Sequence, residues 1–135
     1  MSLSYLAYAL NNLGWAALLG GPPERARALY AESMRMCLEL GDTLAAPETL
    51  LGLAYAAEAR GEAERAAGLF GACEALREVM GAPPEPGESA LQEPYLSAAH
   101  SQLREDEWQE VWAEGGVMSF EEAVSYALDE EEAGG

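Results

Sequence analysis

Apolar residues along this chain recur in a pattern that repeats after forty positions. Leu10-x-x-Leu13-Gly14-Trp15-Ala16-Ala17 lies over Leu50-x-x-Leu53-Ala54-Tyr55-Ala56-Ala57 without a gap. Further on, Glu24-Arg25-Ala26 matches Glu64-Arg65-Ala66, and Leu29-Tyr30 matches Leu69-Phe70. Ser33, Met36 and Leu40 match Cys73, Leu76 and Met80, and Gly21 and Gly41 fall on Gly61 and Gly81. A fixed period of this length, with large and small apolar residues at set places, signals an array of helical hairpins.

Each unit reads as two helices. From Ser4 to Leu19, Leu6, Leu10, Leu13 and Ala17 recur at steps of four, three and four, which predicts one buried face. Gly20-Gly21 ends that helix. Pro23 suits the first position of the next, where its missing N–H costs nothing, and Glu24 suits the positive end of the helix dipole. Ala26, Tyr30, Ser33, Cys37 and Leu40 form the stripe of the second helix, with Leu29 and Met36 beside it, and Gly41 is the stop. The short connection forces the pair antiparallel, so Leu13, Ala17, Ala26 and Tyr30 are expected to meet near the turn. Small Ala26 and Ala66 let the axes approach. In the second unit Pro47 is excluded from a helix interior, which places the start near Ala46 or a different turn at Asp42–Ala45. Ala46, Leu50, Leu53 and Ala57 continue the buried face, Arg60-Gly61 turn the chain, and Ala66, Phe70, Cys73 and Met80 follow to Gly81.

Residues 4–81 thus hold two hairpins, and three prolines and a glycine make 82–87 a linker. Residues 88–128 are expected to stack on the second hairpin as a divergent third pair and a cap, because arrays generally need about three units for a stable core. Ser89 with Gln92 resembles a capping box, with Pro94 as an alternative helix start. Leu91, Tyr95, Ala99 and Leu103 point inward on this reading, and Trp108, Val111 and Trp112 continue as anchors to Gly115-Gly116. Ser119 with Glu122 is a second capping box. Phe120, Ala123, Val124 and Ala127 form the apolar side of a last helix, before an acidic, glycine-ended tail at 129–135.

Composition narrows the function. Half the 135 residues are apolar, and the mean hydropathy of −0.11 fits a folded domain. No apolar run is long enough to span a membrane, and no signal peptide is read, so the expected compartment is the cytoplasm. All seven basic residues are Arg. Without lysine there is no P-loop, Schiff-base or Ser-Lys chemistry. The net charge is −17; residues 1–81 hold ten acids against six Arg, whereas 82–135 hold fourteen against Arg104 alone. Such a surface repels phosphate, which argues against direct nucleic-acid binding. Cys37 and Cys73 are too few for a disulfide framework and read as small buried thiols.

Leu13-Gly14-Trp15 with Ala26 and Tyr30 resembles a tetratricopeptide-type hairpin, although the usual period there is about thirty-four. Asn11-Asn12-Leu13-Gly14, Glu24-Arg25-Ala26-Arg27, Glu39-Leu40-Gly41-Asp42 and Glu74-Ala75-Leu76-Arg77 carry a second resemblance. Trp112-Ala113-Glu114-Gly115 and Phe120-Glu121-Glu122-Ala123-Val124-x-Tyr126-Ala127 extend it in the same order. Together they resemble the C-terminal helical-repeat region of large bacterial ATP-binding transcriptional regulators, including those of the LuxR type. The resemblance implies a non-enzymatic sensor or scaffold segment that follows a nucleotide-binding module and often precedes a helix-turn-helix. Neither neighbour is encoded here: G-x-x-x-x-G-K-[ST] and a basic recognition helix are both missing. The Gly-Gly end after an acidic run looks like a cut before a DNA-binding domain, with natural termination as the alternative.

In tetratricopeptide-like hairpins the first helices line a concave surface. That geometry puts Tyr8, Asn11, Asn12, Trp15 and Leu18 beside Glu48, Leu51, Tyr55 and Glu58. An aromatic groove with acidic members suits an apolar or cationic peptide, with Asn side chains bonding its backbone. The competing reading has Trp15 and Tyr55 simply packed against neighbouring helices. The partners this implies are a protein, a peptide or other domains of the parent regulator. Homodimerisation through the ends of the array and a small-molecule effector between the first helices are the alternatives. His100 has no Glu or His at metal-binding spacing and reads as a surface or hydrogen-bonded residue. Neither Ser97 nor Ser101 has the acid and oxyanion element of a triad. Glu105-Asp106-Glu107, Glu110 and Glu114 lack the glycine and oxygen-rich loop of a calcium site and read as a solvated face. No catalytic, cofactor-binding or metal-ligating set is indicated.

Overall fold

The computed structural model describes residues 4–41, 44–84 and 86–128. The acidic tail and the centre of the turn at Asp42–Ala45 lie outside these. All regular structure among the described residues is helical: α1 (Ser4–Gly20), α2 (Pro23–Leu40), α3 (Ala46–Ala59), α4 (Ala63–Met80), α5 (Pro86–Ser101), α6 (Glu105–Gly116) and α7 (Phe120–Leu128). The helix ends follow the punctuation of the sequence. Gly41 and Gly81, forty residues apart, adopt the left-handed conformation at φ 63° and 65° and close α2 and α4 in the same way. A glycine reaches that conformation without a Cβ clash, which satisfies the last carbonyls of each helix. Pro47 occupies the first turn of α3, where no helical N–H partner is lost.

Helix α1 packs along α2, α2 along α3 and α3 along α4. The two-residue link Gly21-Pro22 makes the first of these contacts antiparallel. One main core runs through α2, α3 and α4 around Tyr30, Met34, Leu50, Leu53, Leu69 and Phe70. Burying side chains of this size stabilises the fold by about 1.5–3 kcal/mol each.

The expected buried face of α1 is wrong in part. Leu6 is 50% and Leu13 56% exposed, although Leu53, forty residues on, is 2% exposed. Helix α1 instead turns Ala7, Asn11, Gly14 and Ala17 inward. The reason is positional: α3 has α2 before it, whereas nothing among the described residues covers the matching side of α1. Ala17, Ala26 and Tyr30 do join the core near the turn, without Leu13. Leu40, expected on the α2 stripe, is exposed beside its terminal glycine, and Leu91 of α5 is exposed as well.

Two further expectations are corrected after Gly81. The linker is shorter than expected, because Pro86 and Gly87 form the first turn of α5, where proline is tolerated; Pro94 lies inside this helix on an exposed face. The stripe from Leu91 to Trp112 is divided between two helices at Gln102–Arg104, and those helices do not form a hairpin. Helices α5 and α6 meet at their corner, where the His100 ring stacks on Trp108 at 4.3 Å and Nε2 lies 2.6 Å from Glu105 Oε2. Helix α6 runs along α4 instead, and α5 lies across α3 and α4. Glycines explain the choice. Gly68 and Gly71 of α4 face Gly115 and Trp112 of α6 so closely that a Cβ at Gly71 or Gly115 would collide with backbone.

Helix α7 starts at the expected cap: Ser119 N–H donates to Glu122 Oε1 at 2.8 Å, and Glu122 N–H donates to Ser119 Oγ at 3.1 Å. Its other end is held from a distance. Arg65 donates to the Tyr126 carbonyl and Arg27 to the Leu128 carbonyl, cations placed on the negative end of the helix dipole. Cys37 and Cys73 are buried, as read from the sequence.

Candidate functional site

The inner faces of α1 and α3 meet over a buried polar network. Ser33 Oγ of α2 donates to the Ala7 carbonyl at 3.1 Å and lies 3.2 Å from Thr49 Oγ1. Thr49 Oγ1 in turn lies 2.9 Å from the Ala45 carbonyl and 3.0 Å from the Asn11 side-chain oxygen. One hydroxyl proton cannot serve both acceptors fully, and Asn11 Nδ2 is buried without a partner. Turning the Asn11 amide half a turn gives its N–H to Thr49 and frees the threonine proton for Ala45. This network fixes α1 against α2 and α3, and with it the height of Trp15 over Tyr55. Thr49→Val keeps the shape but removes the shared hydroxyl, and should lower unfolding free energy by about 1–3 kcal/mol in urea titrations.

Above the network, Trp15 of α1 meets Tyr55 of α3 edge-on, with ring centroids 5.9 Å apart. A third ring completes the group: Tyr95 of α5 lies 6.3 Å from Trp15 and 4.5 Å from Tyr55. Aromatic pairs at these separations contribute about 0.5–1.5 kcal/mol beyond their buried area. Helix α5 therefore covers one stretch of the surface shared by α1 and α3 and leaves a cavity of about 230 Å³ beside it. Asn11, Asn12, Trp15, Glu48, Leu51 and Tyr55 line this cavity, joined by Tyr30, Glu88 and Leu91.

Six of the nine residues named from the sequence are thus brought together, and three are not. Tyr8 packs beside the separate small cluster of Ala7, Cys37 and Ala45. Leu18 packs on the main core. Glu58 lies near Tyr95, and partial burial raises its carboxyl above the usual range. Asn11 is engaged by Thr49, which leaves exposed Asn12 as the accessible amide. Both readings of the aromatics hold together: Trp15 and Tyr55 pack against neighbours and also wall a cavity.

The contributions of Tyr95, Glu88 and Leu91 were missed. An inward Tyr95 is visible in the spacing, but only the path of the chain after Pro83-Pro84 brings it back to Trp15 and Tyr55. Burial pushes the Tyr30 and Tyr55 hydroxyls well above their ordinary range, so both stay neutral near pH 7. The cavity thus has an aromatic body and carboxylates from Glu48 and Glu88. That arrangement can seat an apolar or cationic side chain.

No protein-family model, curated protein or solved structure matches this chain. No helix among the described residues is long and apolar enough to cross a membrane.

Proposed function

We propose that this chain is a non-enzymatic helical-repeat interaction domain of the tetratricopeptide-like kind, serving protein–protein or interdomain contacts in a bacterial transcriptional regulator. The observation that carries the interaction reading is the cavity between α1, α3 and α5, with three aromatic walls and two carboxylates. The assignment to a regulator rests on the sequence resemblance.

The cavity sets the scale of the contact. At about 230 Å³ it falls below the roughly 300 Å³ of a drug-sized pocket, and it suits one or two side chains of a longer segment. Acidic groups make an arginine- or lysine-bearing apolar peptide the fitting partner, through cation–π and ionic contact. Titration of a library of such peptides, followed by tryptophan fluorescence, tests the proposal. Trp15→Ala should weaken the best binder by about tenfold or more, the effect of losing an aromatic anchor, while circular dichroism stays native. Equal affinity in the variant would remove the groove from the proposal.

A second reading, homodimerisation, is favoured by the outer face of α1, where Tyr5, Leu6, Leu13 and Leu19 are exposed. Light scattering decides it. A dimer that Leu13→Glu converts to monomer supports this reading, and a monomer at high concentration eliminates it.

A further inference from the structure

A larger cavity, of about 450 Å³, opens on the other side of Leu51, between the C-terminal half of α4 and the segment entering α5. Leu51, Ala82, Pro83 and Pro84 supply apolar walls, and Arg77 supplies the cation. The Arg77 side chain is only 10% exposed and forms an ion pair with Glu88, Nη2 to Oε2 at 2.5 Å. Its Nε is buried and has no hydrogen-bond acceptor. A buried guanidinium N–H without a partner is costly, because the charge keeps its desolvation penalty and forgoes one of its strongest bonds. Nε and Nη2 form one edge of the guanidinium plane, and a carboxylate matches that edge with two parallel bonds. Glu88, reaching in from α5, holds one end of it.

We propose that this cavity binds a small monocarboxylate with an apolar body, which takes the Nε and Nη2 edge of Arg77 in competition with Glu88. The apolar walls receive the body of the ligand, and the size of the space suits a molecule of metabolite dimensions. Glu74 and Glu78 also line the cavity. Their charge selects against phosphates and other multiply charged anions, which Arg77 alone does not neutralise. Cys73 contributes no further negative charge, because burial pushes its thiol up to about 11. Occupancy would release Glu88 and loosen the first turn of α5, which also walls the smaller cavity. The site shares Leu51 and Glu88 with the peptide contact proposed above but turns on Arg77, which does not line that smaller cavity, so the Arg77 and Trp15 variants test the two separately.

The test is calorimetric titration of the whole chain with 3-phenylpropionate and octanoate, with 3-phenylpropionamide and inorganic phosphate as comparisons. Saturable binding of a carboxylate is expected, with the amide and phosphate weaker by about tenfold or more, the scale of one lost charge-assisted bond. Arg77→Lys keeps the charge opposite Glu88 but has no fork, and should lose a similar factor. Glu88→Gln removes the competitor and should tighten binding severalfold. The two substitutions both weaken the link between α4 and α5, so a merely structural role would move affinity in one direction for both. Three results overturn the proposal: no saturable binding of either carboxylate, unchanged affinity in Arg77→Lys, or weaker binding in Glu88→Gln.

Discussion

Gly115→Val is expected to detach α6 from α4 and to lower the thermal midpoint by about 10 °C, from a loss on the order of 3 kcal/mol. The Cβ of any residue at 115 would overlap the carbonyl oxygen of Gly68. That oxygen belongs to the interior of α4 and cannot move without displacing the core helix. The neighbouring position is an internal control. At Gly116 the nearest atom to an added Cβ is 4.0 Å away, so Gly116→Ala should be neutral, or stabilise the helix by up to about 1 kcal/mol. Differential scanning calorimetry of the two variants checks the pair. Trp108 and Trp112 fluorescence should shift red in Gly115→Val, because both rings pack on the core from α6. A midpoint for Gly115→Val within about 2 °C of the wild type, well under the change that 1 kcal/mol causes in a small domain, would refute the close contact.

The second large effect centres on Tyr30, whose ring is 3% exposed and passes between Gly14 of α1 and Gly52 of α3. At Gly14 a Cβ would come within 2.8 Å of the ring, and at Gly52 it would overlap the ring outright. Both glycines are therefore the space in which one aromatic fastens three helices. Tyr30→Ala should cost about 3–5 kcal/mol, the range for emptying an aromatic site in a core. Gly52→Ala should cost about 1–3 kcal/mol by overpacking. The two changes share one volume, so they should not add. In chemical denaturation the double variant should be more stable than the sum of the single losses implies, by about 1 kcal/mol or more. Strict additivity would show that the ring and the glycine do not compete for space.

These two contacts also mark where sequence reasoning reached its limit. The forty-residue register pairs Tyr30 with Phe70, and both lie in the core, but no periodicity reveals that Tyr30 needs glycines on two other helices. The candidate groove was legible in the same partial way. The resemblance to tetratricopeptide-like hairpins put Asn11, Asn12, Trp15, Glu48, Leu51 and Tyr55 on one groove, and they line one cavity. It did not show α5 returning to cover part of that surface, because the return depends on Tyr95 finding two aromatic faces contributed by α1 and α3.

Local chemistry, then, was enough for the helical class, the glycine stops at Gly41 and Gly81, and the Ser119–Glu122 cap. Each depends on neighbours within a few positions, where backbone preference and hydrogen-bond geometry act without reference to the rest of the chain. Everything decided by distant partners needed the folded molecule. The same leucine pattern buries Leu53 and leaves Leu13 outside, since among the described residues only the helix of Leu53 has another packed before it. Glycine-lined backbone contact sends α6 to α4 instead of α5, and arginines from α2 and α4 close the end of α7. The buried Arg77–Glu88 pair belongs with these: eleven positions separate the partners, and a turn, not a repeat, brings them within 2.5 Å.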